Sequence, residues 1–209
     1  KRKALKRLYD LRKHTPSPIS GLDALLVSQI AFYDDPERFT SQVNALCDEL
    51  EERIKEMKPE GKKRIMITGT PMALPNWKLH HIIENLPAEV VVEETCTGTR
   101  YFENEVSTEG DTIEELIKNL ADRYLGINCA CFTPNDGRVE DILKYVEEYK
   151  VDGVVYSNLS FCHTYSIEYK KVEKALKDAG IPIINIETDY SSEDSGQIKT
   201  RVEAFLEII

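Results

Sequence analysis

Residues 151–157 read VDGVVYS, and that stretch decides the fold. Successive side chains of a strand point to opposite sides, so the adjacent apolar residues Val154, Val155 and Tyr156 put apolar groups on both faces. Such a strand needs cover on both sides, which a parallel sheet flanked by helices supplies and a half-solvated antiparallel sheet does not. On either side along the chain lie four more runs of the same character: RIMITG (64–69), EVVVEET (89–95), GINCACF (126–132) and IPIINIE (181–187). Helical patterns fill the intervals near 75–86, 111–124, 137–149 and 166–179, and a last one covers 193–208. Asp111 with Glu114, and Ser191 with Asp194, stand at capping-box spacing before two of these helices. The expected fold is α/β: a Rossmann-like parallel sheet of about five strands, helices on both faces, and right-handed crossovers between strands.

Residues 1–58 have a different rhythm and read as a helical leading segment packing on an α/β domain at 59–209. The loop HTPSPISG (14–21) breaks it after a basic first helix, KRKALKRLYDLRK, whose Leu5, Leu8 and Leu11 share one face. The helix at 36–57 starts on Pro36 and repeats Phe39, Val43, Leu46, Leu50 and Ile54 at threes and fours, which makes Cys47 a core residue. The 209 residues carry 27 Lys and Arg against 37 Asp and Glu, a net charge of −10 that argues against a general nucleic-acid binder. The basic first helix therefore reads as a solvated amphipathic helix. No apolar run approaches the ~18 residues of a membrane span, and no signal peptide is visible, so a cytoplasmic location is expected.

Ligands of open parallel sheets bind beyond the carboxyl ends of the strands. Those ends run into TGTPMALPNWK, TCTGTRYF, CACFTPN, NLSFCHTY and ETDYSSEDSGQ. Cys96, Cys129 and Cys162 recur at an interval of 33 residues, about one strand-plus-helix unit, so all three return to the same edge of the sheet, with Cys131 nearby. An odd count of five cysteines without a secretory signal suits reduced thiols or metal ligands better than disulfides. Soft sulfur donors point to zinc or an iron–sulfur cluster, and no paired CxxC knuckle favours a structural zinc. Cys129 and Cys131 are equally readable as plain core. His80 and His81 face different ways on a helix and form no ligand pair.

These residues bring a resemblance. TGTPMALPNWKLHHIIE, EETCTGTRYF, CACFTPN, SNLSFCHTY and IETDYSSEDSGQIKTRVEAFLE together resemble the 2-hydroxyacyl-CoA dehydratase superfamily, which includes benzoyl-CoA reductase subunits and double-cubane cluster proteins. The likeness is to the carboxyl-terminal half of such proteins. It implies a second half of a longer two-half chain, partnered by the amino-terminal half, with a 4Fe–4S or double-cubane cluster held by Cys96, Cys129 and Cys162, and Cys131 as the alternative. It further implies an ATP-dependent iron–sulfur activator, a CoA thioester substrate, a dimer, low-potential electron transfer, and loss of cluster and activity in the isolated segment.

Around the thiols, Thr70, Asn76 of the Pro75-Asn76 turn, Thr97, Gly98, Arg100, Ser160 and His163 are the candidates for the substrate or cluster environment. Thr95, Thr97 and Ser160 are possible donors to sulfur, and Arg100 and Lys78 could meet CoA phosphates. Asp189, Tyr190 and Asp194 read as capping and structural groups. Two other readings stand beside this one: a zinc-dependent hydrolase or lyase using Cys129, Cys131, Cys162 and His163, and a non-catalytic half-domain that scaffolds a partner.

Overall fold

A computed structural model describes all 209 residues. Three helices lead: α1 (Arg2–Leu11), α2 (Gly21–Ile30) and α3 (Pro36–Ile54). There follow β1 (Lys63–Gly69), α4 (Lys78–Glu84), β2 (Ala88–Glu94), the short α5 (Thr99–Phe102), α6 (Ile113–Leu125) and α7 (Asp136–Glu148). The chain closes with β3 (Gly153–Leu159), α8 (His163–Asp178), β4 (Ile183–Thr188) and α9 (Ser195–Ile208). The sheet is wholly parallel, with strand order β2-β1-β3-β4.

The stretch at 151–157 behaves as its apolar pattern requires. Val154 and Tyr156 point into the larger core, with α7, α8 and the leading helices. Val155 points into the smaller one, among residues of α4 and α9. Both cores are dry at the strands: Met66, Ile67, Val90, Val92, Val154 and Val155 are fully buried. At roughly 2 kcal/mol per buried aliphatic side chain, these central positions are the main favourable term for the sheet.

The sheet has four strands where the sequence pattern predicts five. Residues 126–132 are no strand: Gly126 ends α6, and Phe132 N–H donates to the Cys129 carbonyl at 3.0 Å in a turn. The place beside β1 belongs to β3, paired from Ile65↔Gly153 to Gly69↔Ser157, so the whole crossover from β2 to β3 carries helices and no strand. A short run alternating apolar and small residues is compatible with a strand, but this one has no partner to pair with.

Helix starts follow local chemistry. Asp35 caps α3 by accepting from the N–H groups of Glu37 and Arg38, with Pro36 in the first turn. The box that starts α6 is Thr112 with Glu115, one residue later than Asp111 with Glu114. Ser191 and Asp194 form no box before α9. The Asp194 carboxylate accepts instead from Lys78 Nζ at 2.5 Å and Thr188 Oγ1 at 2.6 Å, tying α4 to the end of β4.

The leading helices pack onto this unit. Leu5 and Leu8 of α1 are fully buried, and Cys47 of α3 lies with them in the larger core. The basic charges of the first helix meet the chain's own acids: Arg7 with Asp48 and Glu51, Lys13 with Asp10 and Glu148. No helix is long and apolar enough to cross a membrane.

Candidate functional site

With β1 between β2 and β3, the first crossover runs from β1 to β2 on one side and the next returns past β1 to β3 on the other, so the carboxyl end of β1 is the switch point where the ligand crevice of such sheets lies. Gly69 closes β1 there with φ +123°, and a Cβ at this position would stand 2.0 Å from the Ser157 carbonyl oxygen of β3. Only glycine permits that approach. The same carbonyl accepts from the Thr70 N–H at 2.9 Å and Thr70 Oγ1 at 3.1 Å. The end of β2 is equally tight: a Cβ on Gly98 would meet the Glu93 carbonyl oxygen at 2.1 Å, so the TCTG turn folds back onto its own strand.

That turn brings Cys96 to the crevice, and the turn after α6 brings Cys129 and Cys131. The neighbouring Cys129 thiol, with burial acting in the same direction, lifts the Cys96 ionisation well above the usual thiol range. The Cys129 thiol falls well below that range, because Cys96, the Cys131 backbone N–H and Tyr165 all favour its thiolate over the opposing effect of burial. Cys131 is exposed and is raised by burial and by its neighbour Cys129. Cys162 lies just past the end of β3, at the start of α8. It caps α8 by position, its backbone N–H donates to the Leu159 carbonyl at 2.9 Å, and its sulfur lies 3.8 Å from Thr164 Oγ1.

Beneath Cys129 lies a buried charged network that the strand-end motifs do not reveal. Glu94, the last residue of β2, is completely buried. Its Oε2 accepts from Thr68 Oγ1 at 2.5 Å and lies 3.2 Å from Arg138 Nη2 of α7. Its Oε1 lies 2.7 Å from Arg100 Nε, in an ion pair too oblique for a hydrogen bond. Arg138 also pairs with Glu168 of α8, so two carboxylates meet two guanidiniums and the buried charge balances. Arg100 donates to the Gly69 carbonyl at 2.8 Å, the Glu94 carbonyl at 3.0 Å and Tyr165 Oη at 2.6 Å. Tyr165 Oη in turn lies 3.7 Å from Cys129 Sγ. Asn135 joins the same layer, donating to the Cys129 carbonyl and to Glu168.

The other candidates divide. Thr97 Oγ1 lies 3.3 Å from Thr95 Oγ1 and makes a long contact to the Met72 carbonyl, while the Ser160 N–H donates to the Thr188 carbonyl at 2.8 Å. Asn76 sits in the turn before α4, its N–H donating to the Ala73 carbonyl. His163 is exposed at the first position of α8. Arg100 and Lys78 are not free to receive phosphates as they stand: Arg100 is held in the network, and Lys78 Nζ donates to the Asp189 and Ser191 carbonyls and Asp194. His80 is buried with Nε2 2.9 Å from Glu93 Oε1, and His81 is exposed.

A model of the family 2-hydroxyglutaryl-CoA dehydratase, D-component, matches residues 1–209. This chain belongs to that family. Among curated relatives it is 38% identical over its full length to "Putative dehydratase subunit YjiM" of Escherichia coli K12, covering 54% of that protein. It is 26% identical over its full length to the (R)-phenyllactyl-CoA dehydratase beta subunit of Clostridium sporogenes, again 54% of the relative. A benzoyl-CoA reductase polypeptide of Thauera aromatica is 25% identical over 95% of the chain and 50% of the relative. The chain thus spans about half the length of the curated relatives it matches. The dehydratase family and a parallel α/β unit are what the likeness in the five strand-end motifs implies.

The donor chemistry of the crevice fits an iron–sulfur group: soft thiols, one of them biased toward thiolate, over a charge-neutral floor. The chain does not gather a finished cage. No three His, Cys, Asp or Glu side chains stand together in an arrangement that would hold a metal ion.

Proposed function

We propose that this chain is the cysteine-bearing half of an iron–sulfur subunit in a 2-hydroxyacyl-CoA dehydratase-like or double-cubane reductase system of the cytoplasm. What supports this reading is the family match over residues 1–209 together with the placement of Cys96 in the turn after β2 and of Cys129 beside Tyr165, whose hydroxyl lies 3.7 Å from its sulfur and 2.6 Å from Arg100. Cys96, Cys129 and Cys162 would hold the cluster, with Cys131 as the alternative. The chemistry such a group supplies when bound is one-electron transfer at low potential. The protein's own part is to bring the thiols together at the crevice, to bias Cys129 toward the thiolate that metal binding requires, and to keep water from beneath it with the Glu94–Arg100–Arg138–Glu168 layer. Its partners are the other half of the subunit, an ATP-dependent activator that delivers the electron, and a CoA thioester substrate, in a dimeric assembly.

Anaerobic reconstitution with ferrous iron and sulfide tests the reading. The expected outcome is the broad visible absorption of an iron–sulfur chromophore and an EPR signal on reduction, with bound iron falling sharply in Cys96→Ala and Cys162→Ala. Full iron loading in both variants overturns the ligand assignment. Zinc retention without colour would favour the zinc-dependent reading, and no metal uptake at all would favour the scaffold.

A further inference from the structure

Tyr165 carries a hydroxyl whose two hydrogen-bonding roles are separable. The ring is buried, on the first turn of α8, with its ring face near both Arg100 and Arg138. Arg100 Nη1 lies 2.6 Å from the hydroxyl oxygen. A guanidinium only donates, so this contact uses the oxygen as acceptor and leaves the phenolic proton for another partner. The remaining polar neighbour is Cys129 Sγ at 3.7 Å. Arg100 is itself locked by the Gly69 and Glu94 carbonyls and the Glu94 carboxylate, so the hydroxyl is aimed from behind by a side chain that cannot turn away.

We propose that Tyr165 is a positioning residue for the Cys129 sulfur, donating its hydroxyl proton to that sulfur and thereby setting the reduction potential of a metal group bound through it. The proposal rests on the ligand reading given above. A hydrogen bond to a ligating sulfur stabilises the extra negative charge of the reduced state, so its presence raises the potential and its loss lowers it.

The test uses the iron-loaded chain and a redox titration followed by EPR, with iron content measured alongside. Tyr165→Phe is expected to load iron and to show a midpoint potential more negative than wild type. Tyr169→Phe is the control: its hydroxyl lies one turn further along the same helix and meets Glu173 at 3.0 Å rather than a sulfur, so its potential stays at the wild-type value. A ring-fluorinated tyrosine at position 165 keeps the packing and the Arg100 contact but donates more strongly, and is expected to shift the potential the opposite way. This second variant carries the test if Tyr165→Phe does not fold. Potentials that match wild type in loaded Tyr165 variants overturn the inference and leave the cysteine ligands standing. A wild-type chain that takes up no iron overturns the ligand reading, and the inference falls with it.

Discussion

Glu93 shows at the scale of one residue how this sequence handles charge. It is fully buried on β2, yet its Oε2 accepts from Tyr9 Oη and Arg12 Nη1, both at 2.7 Å, and its Oε1 accepts from Arg12 Nη2 and faces His80. Burial alone would raise its ionisation; the Arg12 charge and these hydrogen bonds win and hold it down to about 2, against 4.5 for a free glutamate. A carboxylate depressed on folding contributes stability that is present above the unfolded value and is lost as pH falls from about 4.5 toward 2. The shift corresponds to roughly 3 kcal/mol. Glu93→Gln is therefore expected to lose on the order of 3 kcal/mol at pH 7, measured by urea unfolding, while near pH 3 the gap to wild type narrows because wild type is losing the same interaction. An equal gap at both pH values would show that the charge is not the source. The sequence carries a hint of this: two glutamates end the apolar run VVVEE, and carboxylates in a strand covered on both sides need cations. Which arginines answer is not legible, because Arg12, Arg100 and Arg138 approach from three different elements, and Arg12 lies 81 residues from Glu93 along the chain.

At the scale of elements, legibility follows packing. Runs apolar on both faces, such as RIMITG and GVVYS, identify themselves, since only a central parallel strand can bury them. GINCACF does not, because whether a short run pairs depends on a vacant place in a sheet assembled from distant segments. The turns carrying Cys96 and Cys162 are legible for a related reason: positions after strands are fixed once the strands are, whereas Cys129 and Cys131 sit in a turn after α6 and not after a strand, and the Tyr165 and Glu168 contacts depend on how α8 is rotated. Helix α6 is the opposite case, amphipathic in sequence but unburied in the structure. Ile113, Ile117 and Leu120 are 76%, 59% and 45% exposed, and its one buried residue, Arg123, donates to the Arg100, Tyr101 and Asn104 carbonyls. The apolar face of α6 thus contributes little to holding this chain together. Ile117→Glu and Leu120→Glu are expected to change unfolding free energy by no more than about 0.5 kcal/mol. Arg123→Ala, which leaves three carbonyls without their donor, is expected to cost about 1–3 kcal/mol in the same urea titration. A large loss in either glutamate variant would mean that α6 is packed against something after all.

For the whole molecule the open matter is whether residues 1–58 are a separate unit. Their change of rhythm suggests one. The contacts argue for shared stability instead. Ala4, Leu5, Leu8, Phe39, Val43 and Leu50 belong to one continuous core with Val92, Val154 and Tyr156 of the sheet. Arg12 reaches across to Glu93, and Arg64 of β1 donates back to the Arg12 carbonyl at 2.9 Å and the His14 carbonyl at 3.1 Å. Removing the leading helices would open one side of the core and strand Glu93 without its cation, and an unpaired buried charge alone costs about 3–5 kcal/mol. Against a total stability of about 5–15 kcal/mol for a domain of ordinary size, those losses together exceed what the sheet can spare. Residues 59–209 produced alone are therefore expected to lack near-UV circular dichroism and a cooperative thermal transition, while the full chain melts in a single step. Restoring residues 1–58 as a separate polypeptide is expected to recover the transition in proportion to its concentration, because the missing interactions are non-covalent. A cooperative melt of 59–209 by itself would instead make the leading helices an appendage, and the Arg12–Glu93 pair dispensable to the fold.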